Sequence, residues 1–559
     1  MKKTKVVALL LVLLMMMSLM SACGATKDTA KEPVEAADQV TEAAAETVGE
    51  SVGAEIGEIA VAEGEGTYER KTEEGTLTVG IIRNLSALNP GNNNSVAALS
   101  LVYDKLFVLN TETGEYEPRL ATEWSYDDET SLHIWLRDDV QWSNGEPFTA
   151  EDVLFTVEYL ATKSTRAIEN FRDYDIENSE IINDHELILR TKTVDGAQIA
   201  NLASNWAYML NKNHVESTDD DAFWEDIVGT GAFLCESNVA GEKATFTANP
   251  NYWGEAPDFD EVTIRYYSDT ATMFMDYETG ALDLVLEPTD LDLARVTNGE
   301  VDHTIYTLFP QMRVVTLVMY DKNEFLSDVA VREAIAHAID VDAVAYAGWG
   351  DLAVVPTGFL PEGCNYRLET GAYEYNPELA KQVLAEAGYT DGQIQLTTVY
   401  GTAEPSVGVA CEALQAMLAE VGIGLTIECY DQATMTAMIQ GANNNGVPEV
   451  ELSLFSNSIT TRDPSLLYNL FKSDSSLAIC ANSDEYVNKL IVDAVGTNDS
   501  DERASLYADL QQYLYDNFMG VPVAETFYCA VARDYIDADS LVAIGDCASP
   551  NLTMIEFVD

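Results

Sequence analysis

Three kinds of residue in this sequence could do chemistry: a serine in a nucleophile-type motif, five histidines and eight cysteines. Residues 49–53 read Gly-Glu-Ser-Val-Gly and match the pattern G-x-S-x-G. Such a serine becomes a nucleophile only where a strand precedes the motif and a helix follows it. The flanking sequence predicts neither element, so this serine does not predict a hydrolase.

The histidines and cysteines form no recognisable metal or redox motif. The sequence contains neither H-E-x-x-H nor C-x-x-C. No metal site and no cofactor are therefore predicted. Seven cysteines remain when Cys23 is set aside, and an odd number means that at least one of them cannot pair within the chain.

Cys23 carries the strongest chemical signal because it ends an apolar run behind a basic start. Residues 6–23 read VVALLLVLLMMMSLMSAC and follow three lysines. This pattern predicts a signal peptide over residues 1–22. The last four residues, MSAC, resemble the bacterial lipobox, in which the thiol of the cysteine receives diacylglycerol; Met20 replaces the usual leucine. We therefore expect a lipid anchor at Cys23 on the outer face of the cell membrane.

The stretch after Cys23 has the composition of a spacer. Residues 24–75 hold 14 acidic and 4 basic residues and a single aromatic residue, Tyr68. Such a stretch cannot bury enough apolar surface to offset the entropy of ordering it. Residues 23–75 are therefore predicted to be a lipidated cysteine followed by a disordered acidic tether.

The charge of the body limits its partners. Of the net charge of −64, the signal contributes +3 and residues 24–75 contribute −10, which leaves −57 for residues 76–559. Nucleic acid and anionic lipid surfaces both require basic patches, so neither is an expected partner. The body is also too long for one ordinary core, and two or three domains are expected.

Several motifs of the body occur in the order found in one known family. In the first part of the chain they are YDKLF at 103–107, YEPRLATEW at 116–124, LHIWLR at 132–137, VQWSNGEPF at 140–148 and TAEDV at 149–153. Further on they are VGTGAF at 228–233, NPNYWG at 249–254, GALD at 280–283, a helix-like stretch at 328–340 and another at 375–389. This series resembles extracellular solute-binding protein family 5, the dipeptide-, oligopeptide- and nickel-binding proteins of ABC importers.

The resemblance implies an α/β, two-lobed periplasmic-binding-protein-like fold (type II, large cluster) with an extra subdomain in the first lobe. The alternation of predicted strands and helices also favours α/β lobes. The first lobe is expected over 76–309, with its inserted subdomain at about 110–230. The second lobe is expected over 310–524, and 525–559 returns to the first lobe. The chain would cross between lobes near 309–311 and 522–524, and closure of the two lobes around a ligand is the expected motion.

The family's peptide binders hold the ligand's amino group with an aspartate just before an Asp-Pro pair. Asp463-Pro464 matches that pair and Phe455 matches the aromatic residue before it, but Asn457 and Ser458 stand where the aspartate is expected. Because a neutral amide cannot pair with a buried ammonium group, this anchor is absent from the sequence unless the alignment slips by two residues.

Other ligand contacts are expected from residue type and position. Arg313 and Arg462 could bind an acidic group of the ligand, and Asn84, Trp206 and Tyr208 are further candidates. For Trp206, core packing is the alternative. The full set of predicted ligand-binding residues is Asn84, Trp206, Tyr208, Arg313, Phe455, Asn457, Ser458 and Arg462.

The resemblance implies an extracytoplasmic lipoprotein, a monomer, that captures a small polar solute and delivers it to the permease subunits of an ABC importer. A di- or oligopeptide is the expected ligand. No enzyme activity is expected, and the sequence has no P-loop, so ATP hydrolysis would fall to partner subunits. Import of a sugar, an opine or a nickel complex is one alternative, and a ligand sensor for a membrane receptor is another.

Overall fold

The computed structural model describes residues 60–62, 72, 75–82, 88–90, 96–110, 113–164, 167–218, 226–402, 404–439, 449–458, 462–464, 471–473, 484–544 and 547–558. The predicted signal peptide, Cys23, residues 49–53 and the predicted ligand contact Asn84 lie outside these ranges. All described residues belong to one compact unit, Ala54–Asp559. Within them, no helix has both the length and the apolar character needed to cross a bilayer.

Twenty strands occur in the described part of the chain. They are β1 (Ala60–Ala62), β2 (Thr76–Ile81), β3 (Phe107–Leu109), β4 (Tyr116–Pro118), β5 (Ala121–Asp128), β6 (Ser131–Leu136), β7 (Glu180–Asn183), β8 (Glu186–Arg190), β9 (Phe233–Val239), β10 (Lys243–Ala248), β11 (Glu261–Tyr266), β12 (Leu284–Leu286), β13 (Thr304–Met319), β14 (Ala353–Val354), β15 (Ile394–Gly401), β16 (Ile423–Tyr430), β17 (Leu452–Ser458), β18 (Gly520–Arg533), β19 (Ala543–Ile544) and β20 (Cys547–Pro550).

The helices of the same ranges are α1 (Val96–Val102), α2 (Ala150–Thr162), α3 (Ile168–Phe171), α4 (Gln198–Ala203), α5 (Lys212–Ser217), α6 (Thr270–Glu278), α7 (Asp290–Thr297), α8 (Val329–Ala338), α9 (Val341–Trp349), α10 (Pro377–Glu386), α11 (Pro405–Glu420), α12 (Gln432–Ile439), α13 (Glu485–Val495) and α14 (Ser500–Asp516). Short 3₁₀ turns lie at Ile176–Asn178, Gly350–Leu352, Ala538–Ser540 and Leu552–Met554.

Side chains cap several helix ends. The carboxylate of Asp152 accepts the backbone N–H of Thr149 at 3.0 Å, which forms a capping box at the start of α2. At α10, the side chain of Asn376 caps the helix by accepting the N–H of Leu379. The helix begins at Pro377, and Gly388, with a φ of +90°, follows its end. These helices are thus defined by local chemistry.

Two long strands connect the halves of the main sheet, which has the order β16-β15-β17-β13-β18-β12-β2-β11-β10-β9. Strands β13 and β18 pair antiparallel along nearly their whole length. The pairing joins Thr304–Pro310 to residues 527–533, shifts register, and resumes from Val314 to Val318 against residues 520–525. Within the shift, Met312 adopts a φ of +44°, a left-handed conformation that non-glycine residues seldom adopt.

The register shift separates two hydrophobic cores. Before it, Ile305 of β13 and Ala530 of β18 lie in a core with β2 and β11. After it, Val315 of β13 and Val523 of β18 lie in a different core with β15, β16 and the helices α8 to α11. The structure therefore has two α/β lobes that share β13 and β18, and the predicted fold class is confirmed.

The first lobe contains an insert with a core of its own. Its four-stranded sheet has the order β5-β6-β8-β7. Apolar side chains of α2, α4 and the sheet pack together there, including Trp142 and Phe148. Val153, Val157 and Leu160 of α2 are buried in this core, whereas Phe155 is partly buried against the core of the first lobe. We call the segment from Leu106 to Val228, whose side chains contribute to this core, the insert.

The stretch predicted as a tether is not wholly without structure. Residues Ala60–Ala62 form β1 and pair antiparallel with Thr304–Tyr306 of β13. The prediction of a continuous disordered tether over 23–75 is therefore wrong at these three residues. The physical reason is that a strand edge with unpaired backbone groups accepts a short extended segment whatever the composition around that segment.

The insert is joined to the first lobe by a polar network around Asp104. This carboxylate is 7% exposed and accepts hydrogen bonds from Trp253 Nε1 at 3.1 Å, Thr230 Oγ1 at 3.2 Å and Arg119 Nε at 3.2 Å. The guanidinium groups of Arg119 and Arg137 lie 4.7 and 4.5 Å from the ring centroid of Trp253. The network includes residues from several of the sequence motifs that carry the family resemblance.

The glycines of the G-T-G motif permit this joint. A Cβ on Gly229 would lie 1.7 Å from the carbonyl oxygen of Val102, and one on Gly231 would lie 2.5 Å from that of Leu101. Both distances are far below van der Waals contact. Only glycine therefore allows the chain to pass close enough for Thr230, between them, to reach Asp104.

We expect the substitution Asp104→Ala to lower the free energy of unfolding by about 3 kcal/mol, because it removes the shared acceptor of a buried network and leaves a guanidinium group without its carboxylate. Urea denaturation measures the change. The matched control is Asp139→Ala, which removes a carboxylate that is 55% exposed and also paired with an arginine; its expected cost is about 0.5 kcal/mol. Equal costs for the two substitutions would contradict the role given to Asp104.

Candidate functional site

The candidate site lies where the parallel strands of each lobe end. Strands β2, β11 and β12 of the first lobe run parallel and end at Ile81, Tyr266 and Leu286. Strands β15 and β16 of the second lobe are also parallel and end at Gly401 and Tyr430. In open α/β sheets, ligands bind beyond the carboxyl ends of the strands. A ligand is therefore expected beyond these strand ends.

Strand β17 brings together four of the predicted ligand residues. It pairs antiparallel with β13, so that Ser458 lies opposite Arg313 and Asn457 opposite Val314. Phe455 is half-buried and packs against the apolar cluster beneath it. Arg313 also forms an ion pair with Glu404 at 3.5 Å, where the arginine side chain is 24% exposed. Arg313 and Ser458 are a register pair on one side of the pleat, and Phe455 and Asn457, two residues apart, occupy the other, so these four neighbouring positions, called the patch below, do not share one face of the sheet.

Strand β17 has a second edge with little pairing. On that side, the described pairing is between Leu452 and Thr398 of β15. The pairing with β13, by contrast, extends along the whole strand to Ser458. Among the described residues, no ladder pairing continues along this edge of β17 beyond Leu452.

A buried carboxylate marks the place where the chain crosses between lobes. Glu525 of β18 is 5% exposed, pairs in register with Val314 and accepts the N–H of Glu362 at 2.7 Å. Burial raises the pKa of this carboxyl, and the hydrogen bond from Glu362 opposes the effect. The residue therefore ties the loop at Glu362 to the crossing strand.

Arg462 connects the two lobes rather than facing an open surface. Its carbonyl oxygen accepts the N–H of Asn365 at 2.8 Å and the thiol of Cys364 at 3.3 Å within the second lobe. Its guanidinium group reaches the β3–β4 hairpin, since a Cβ on Gly114 would lie 2.6 Å from Nη1. This position favours a role in holding the lobes together.

Two other predicted ligand residues lie in packed regions. Tyr208 is 2% exposed and belongs to the core of the first lobe, where its ring is 6.3 Å from that of Tyr103. Trp206 is partly buried and packs against the core of the insert. For Trp206 the structure thus shows the packing that was the alternative interpretation, and for Tyr208 it also shows a packing role. Neither residue joins the patch on β17.

The Asp-Pro motif has a partner that the sequence did not reveal. Asp463 forms an ion pair with Arg503 of α14 at 2.8 Å, and the two side chains are 6% and 5% exposed. Burial alone would lower the pKa of Arg503, but Asp463 and the phenols of Tyr507 and Tyr366 outweigh it, so that the pKa is raised. Arg503 therefore stays charged, and the carboxylate of Asp463 is neutralised by it.

Arg503 also reaches across to the insert. Its Nη1 donates to the carbonyl oxygen of Gly196 at 2.8 Å, while its Nε donates to Ala494 of its own lobe at 3.0 Å. Beside it, the N–H of Gly196 donates to the carbonyl oxygen of Val495 at 2.9 Å. The two lobes are thus in direct hydrogen-bonded contact in this structure.

Asp195 is the titratable group at this contact. It is half-buried and accepts the N–H of Ala197 at 2.9 Å. Burial raises its pKa to about 6; the charge of Asp463 adds to the rise, and the Ala197 hydrogen bond and Arg503 oppose it. Neither Asp195 nor Arg503 belongs to a short motif, so sequence reasoning missed both. The only signal was the Asp-Pro match, which identified Asp463 but not its partner.

The described residues show no site for a bound metal. Within them, no group of three or more histidine, cysteine, aspartate or glutamate side chains is placed to hold an ion. Of the described cysteines, 235, 411, 429 and 529 are free thiols, and burial raises the pKa of Cys411 to about 12.

Two α/β lobes that share a pair of crossing strands, with an insert in the first lobe, define the class of two-lobed type II binding proteins. Within that class, residues 115–477 match the family described as bacterial extracellular solute-binding proteins, family 5. Since this match covers more than half of the chain, the chain belongs to that family. Members are extracytoplasmic substrate-binding proteins of ABC transporters.

Individual relatives differ in what they bind. The chain is 25% identical to heme-binding protein A of Haemophilus influenzae, over 77% of this chain and 82% of that protein. It is 26% identical to the nickel-binding periplasmic protein of Escherichia coli, over 80% and 89%. The periplasmic binding protein DppA of Helicobacter pylori, solved with the peptide STSA, shares the fold with a TM-score of 0.73 and 22% identity, over 87% and 98%.

We expect the substitution Asp463→Asn to lower the free energy of unfolding by about 3 kcal/mol, because it leaves the buried guanidinium of Arg503 without a compensating charge. Thermal and urea denaturation of the ligand-free protein measure the change. The control is Glu369→Gln, at an ion pair with Arg367 whose carboxylate is 75% exposed, with an expected cost of about 0.5 kcal/mol. An unchanged stability for Asp463→Asn would mean that Asp463 does not serve as the partner of Arg503.

Proposed function

We propose that this protein is a monomeric lipoprotein, anchored through Cys23 to the outer face of the cell membrane. There it captures di- or oligopeptides in the cleft between its lobes and delivers them to the permease of an ABC importer. The observation that carries the choice of ligand is the edge of β17 that faces away from β13. The family relationship supports the transport role, and the lipobox-like sequence supports the anchor.

The edge of β17 suits a peptide backbone. An extended peptide that adds to a strand edge gains main-chain hydrogen bonds, and these do not depend on the peptide's sequence. On this side of β17, the described ladder pairing is at Leu452. The backbone groups from there towards Ser458 are the ones that a peptide would join. Phe455 lies on this strand and would meet a side chain of the ligand, whereas Arg313 lies on β13, across β17 from this edge, where it pairs with Glu404. The arrangement fits capture of peptides of varied sequence.

The surroundings of Asp463 argue against its use as an anchor for the amino group of a peptide. That carboxylate is already paired with Arg503 at 2.8 Å and is almost fully buried. A second cation there would have to displace a buried arginine, which is costly. Asn457 and Ser458, the neutral residues on the strand before it, carry no charge that could take its place. We therefore propose that main-chain contacts, rather than an ion pair to the amino end, supply most of the affinity.

Calorimetric titration with tetra-alanine and with N-acetyl tetra-alanine tests this mode of binding. Because no carboxylate is assigned to the amino end, we expect acetylation to weaken binding by less than about tenfold, whereas an ion-pair anchor would cost several kcal/mol.

A tetra-alanine that carries one N-methylated central amide is the matched probe. It loses one main-chain donor, and we expect about tenfold weaker binding or more. Loss of all binding on acetylation, with little effect of N-methylation, would contradict strand addition. If no peptide binds but a nickel–histidine complex or heme does, the peptide proposal is refuted and the transport role stands.

We expect Cys23→Ala to abolish incorporation of labelled palmitate, because the substitution removes the thiol that receives the lipid. The protein should then be found uncleaved or in the medium, and cell fractionation followed by fluorography measures both. The control is Cys429→Ala, which removes an exposed free thiol of the body and should leave labelling intact. Normal labelling of the Cys23→Ala protein would refute the anchor.

A further inference from the structure

The insert touches the second lobe through a small set of polar contacts that the ligand site does not use. Besides the two hydrogen bonds at Gly196, Asn498 Nδ2 donates to the carbonyl oxygen of Glu129 at 3.0 Å. Glu129 and Gly196 belong to the insert, whereas Val495 ends α13 and Asn498 lies between α13 and α14 of the second lobe.

We propose that Arg503, held in place by Asp463, is a positioning residue that fastens the second lobe to the insert and maintains the closed form of the protein. The contact at Gly196, Val495, Asn498 and Arg503 is called the clasp below. The clasp acts on closure and not on ligand chemistry. Its test uses no ligand, so it can succeed or fail independently of the proposed peptide binding.

Contacts within the second lobe hold the side chain of Arg503 in position before the lobes close. Asp463 and the carbonyl oxygen of Ala494 hold its guanidinium group on the second lobe, and the rings of Tyr366 and Tyr507 lie 5.2 and 5.6 Å from its Cζ. Little side-chain entropy remains to be lost when the lobes close. Its Nη1 then donates to the Gly196 carbonyl oxygen across the contact.

Gly196 is the point of closest approach. A Cβ there would lie 2.3 Å from the carbonyl oxygen of Thr497 and 2.9 Å from Nε of Arg503, both on the second lobe. Gly196 does not have a positive φ, so alanine fits its own backbone. The substitution Gly196→Ala therefore blocks the clasp while leaving the core of each lobe intact.

Asp195 makes the clasp depend on pH. The charged and titratable groups that face it are Asp463 and Arg503 of the second lobe and the phenols of Tyr126 and Tyr174 of the insert. Its pKa is about 6 in the closed form, against an ordinary value of 3.8. Because the pKa of Asp195 is raised in the closed form, its protonation stabilises that form. This stabilisation is complete below about pH 4 and is lost as the pH rises through about 6.

The experiment compares mature protein, residues 23–559 with Cys23→Ser, as wild type, Gly196→Ala, Arg503→Lys and the control Lys192→Ala. Lys192 lies in the same loop as Gly196 but bonds within the insert, to the carbonyl oxygen of Arg172. Each protein is freed of ligand by refolding from guanidinium and studied at pH 5. Small-angle scattering gives the radius of gyration, and hydrogen exchange gives the protection of the Gly196 amide.

We expect Gly196→Ala and Arg503→Lys to have a larger radius of gyration than wild type and the control. In Arg503→Lys, the amide of Gly196 should exchange about tenfold faster, since the clasp loses a hydrogen bond. Melting temperatures should stay close to that of wild type for Gly196→Ala, which separates closure from stability. Equal radii and equal protection in wild type and Gly196→Ala would overturn the proposal.

The pH dependence gives a readout that a purely structural role would not change. Wild type should expand between pH 5 and pH 7.5, whereas Asp195→Asn, which mimics the protonated acid, should stay compact at both values. The same expansion in both proteins would show that Asp195 does not control the clasp.

Discussion

The antiparallel pairing of β13 with β18 is the constraint on which the rest of the structure depends. These two strands run through both cores, and their register shifts around Met312, with a second irregularity between Val315 and Thr316. On one side of the shift they complete the sheet of the first lobe, and on the other that of the second. Any movement of one lobe relative to the other would bend this pair.

The polar network around Asp104 explains why the sequence indicates the family but not the ligand. Asp104, Arg119, Thr230 and Trp253 come from separate motifs, yet they meet in one buried network that joins the insert to the first lobe. These four motif residues thus serve the fold. Relatives that bind heme or nickel can therefore share the framework with one solved with a peptide.

Local signals predicted much of the fold, and contacts between distant residues account for what they missed. The strand Ile423–Tyr430 and the capped helix at Pro377 follow from β-branched residues, an asparagine cap and glycines. The strand at Ala60–Ala62 was missed because only the edge of β13 stabilises it. At the site, the ligand contacts of Phe455, Asn457, Ser458 and Arg313 stay predictions, whereas the pairing of Asp463 with Arg503 depends on tertiary packing that no spacing in the sequence reveals.

In the proposed binding mode, the cleft between the two lobes holds a peptide by its backbone. Native mass spectrometry of the mature protein, as purified and after addition of a mixed peptide pool, tests this mode. We expect a series of bound masses that correspond to short peptides of varied sequence, without selection for one amino-terminal residue. A protein that stays at its own mass in the presence of the pool, or that carries only heme or a metal complex, would contradict it.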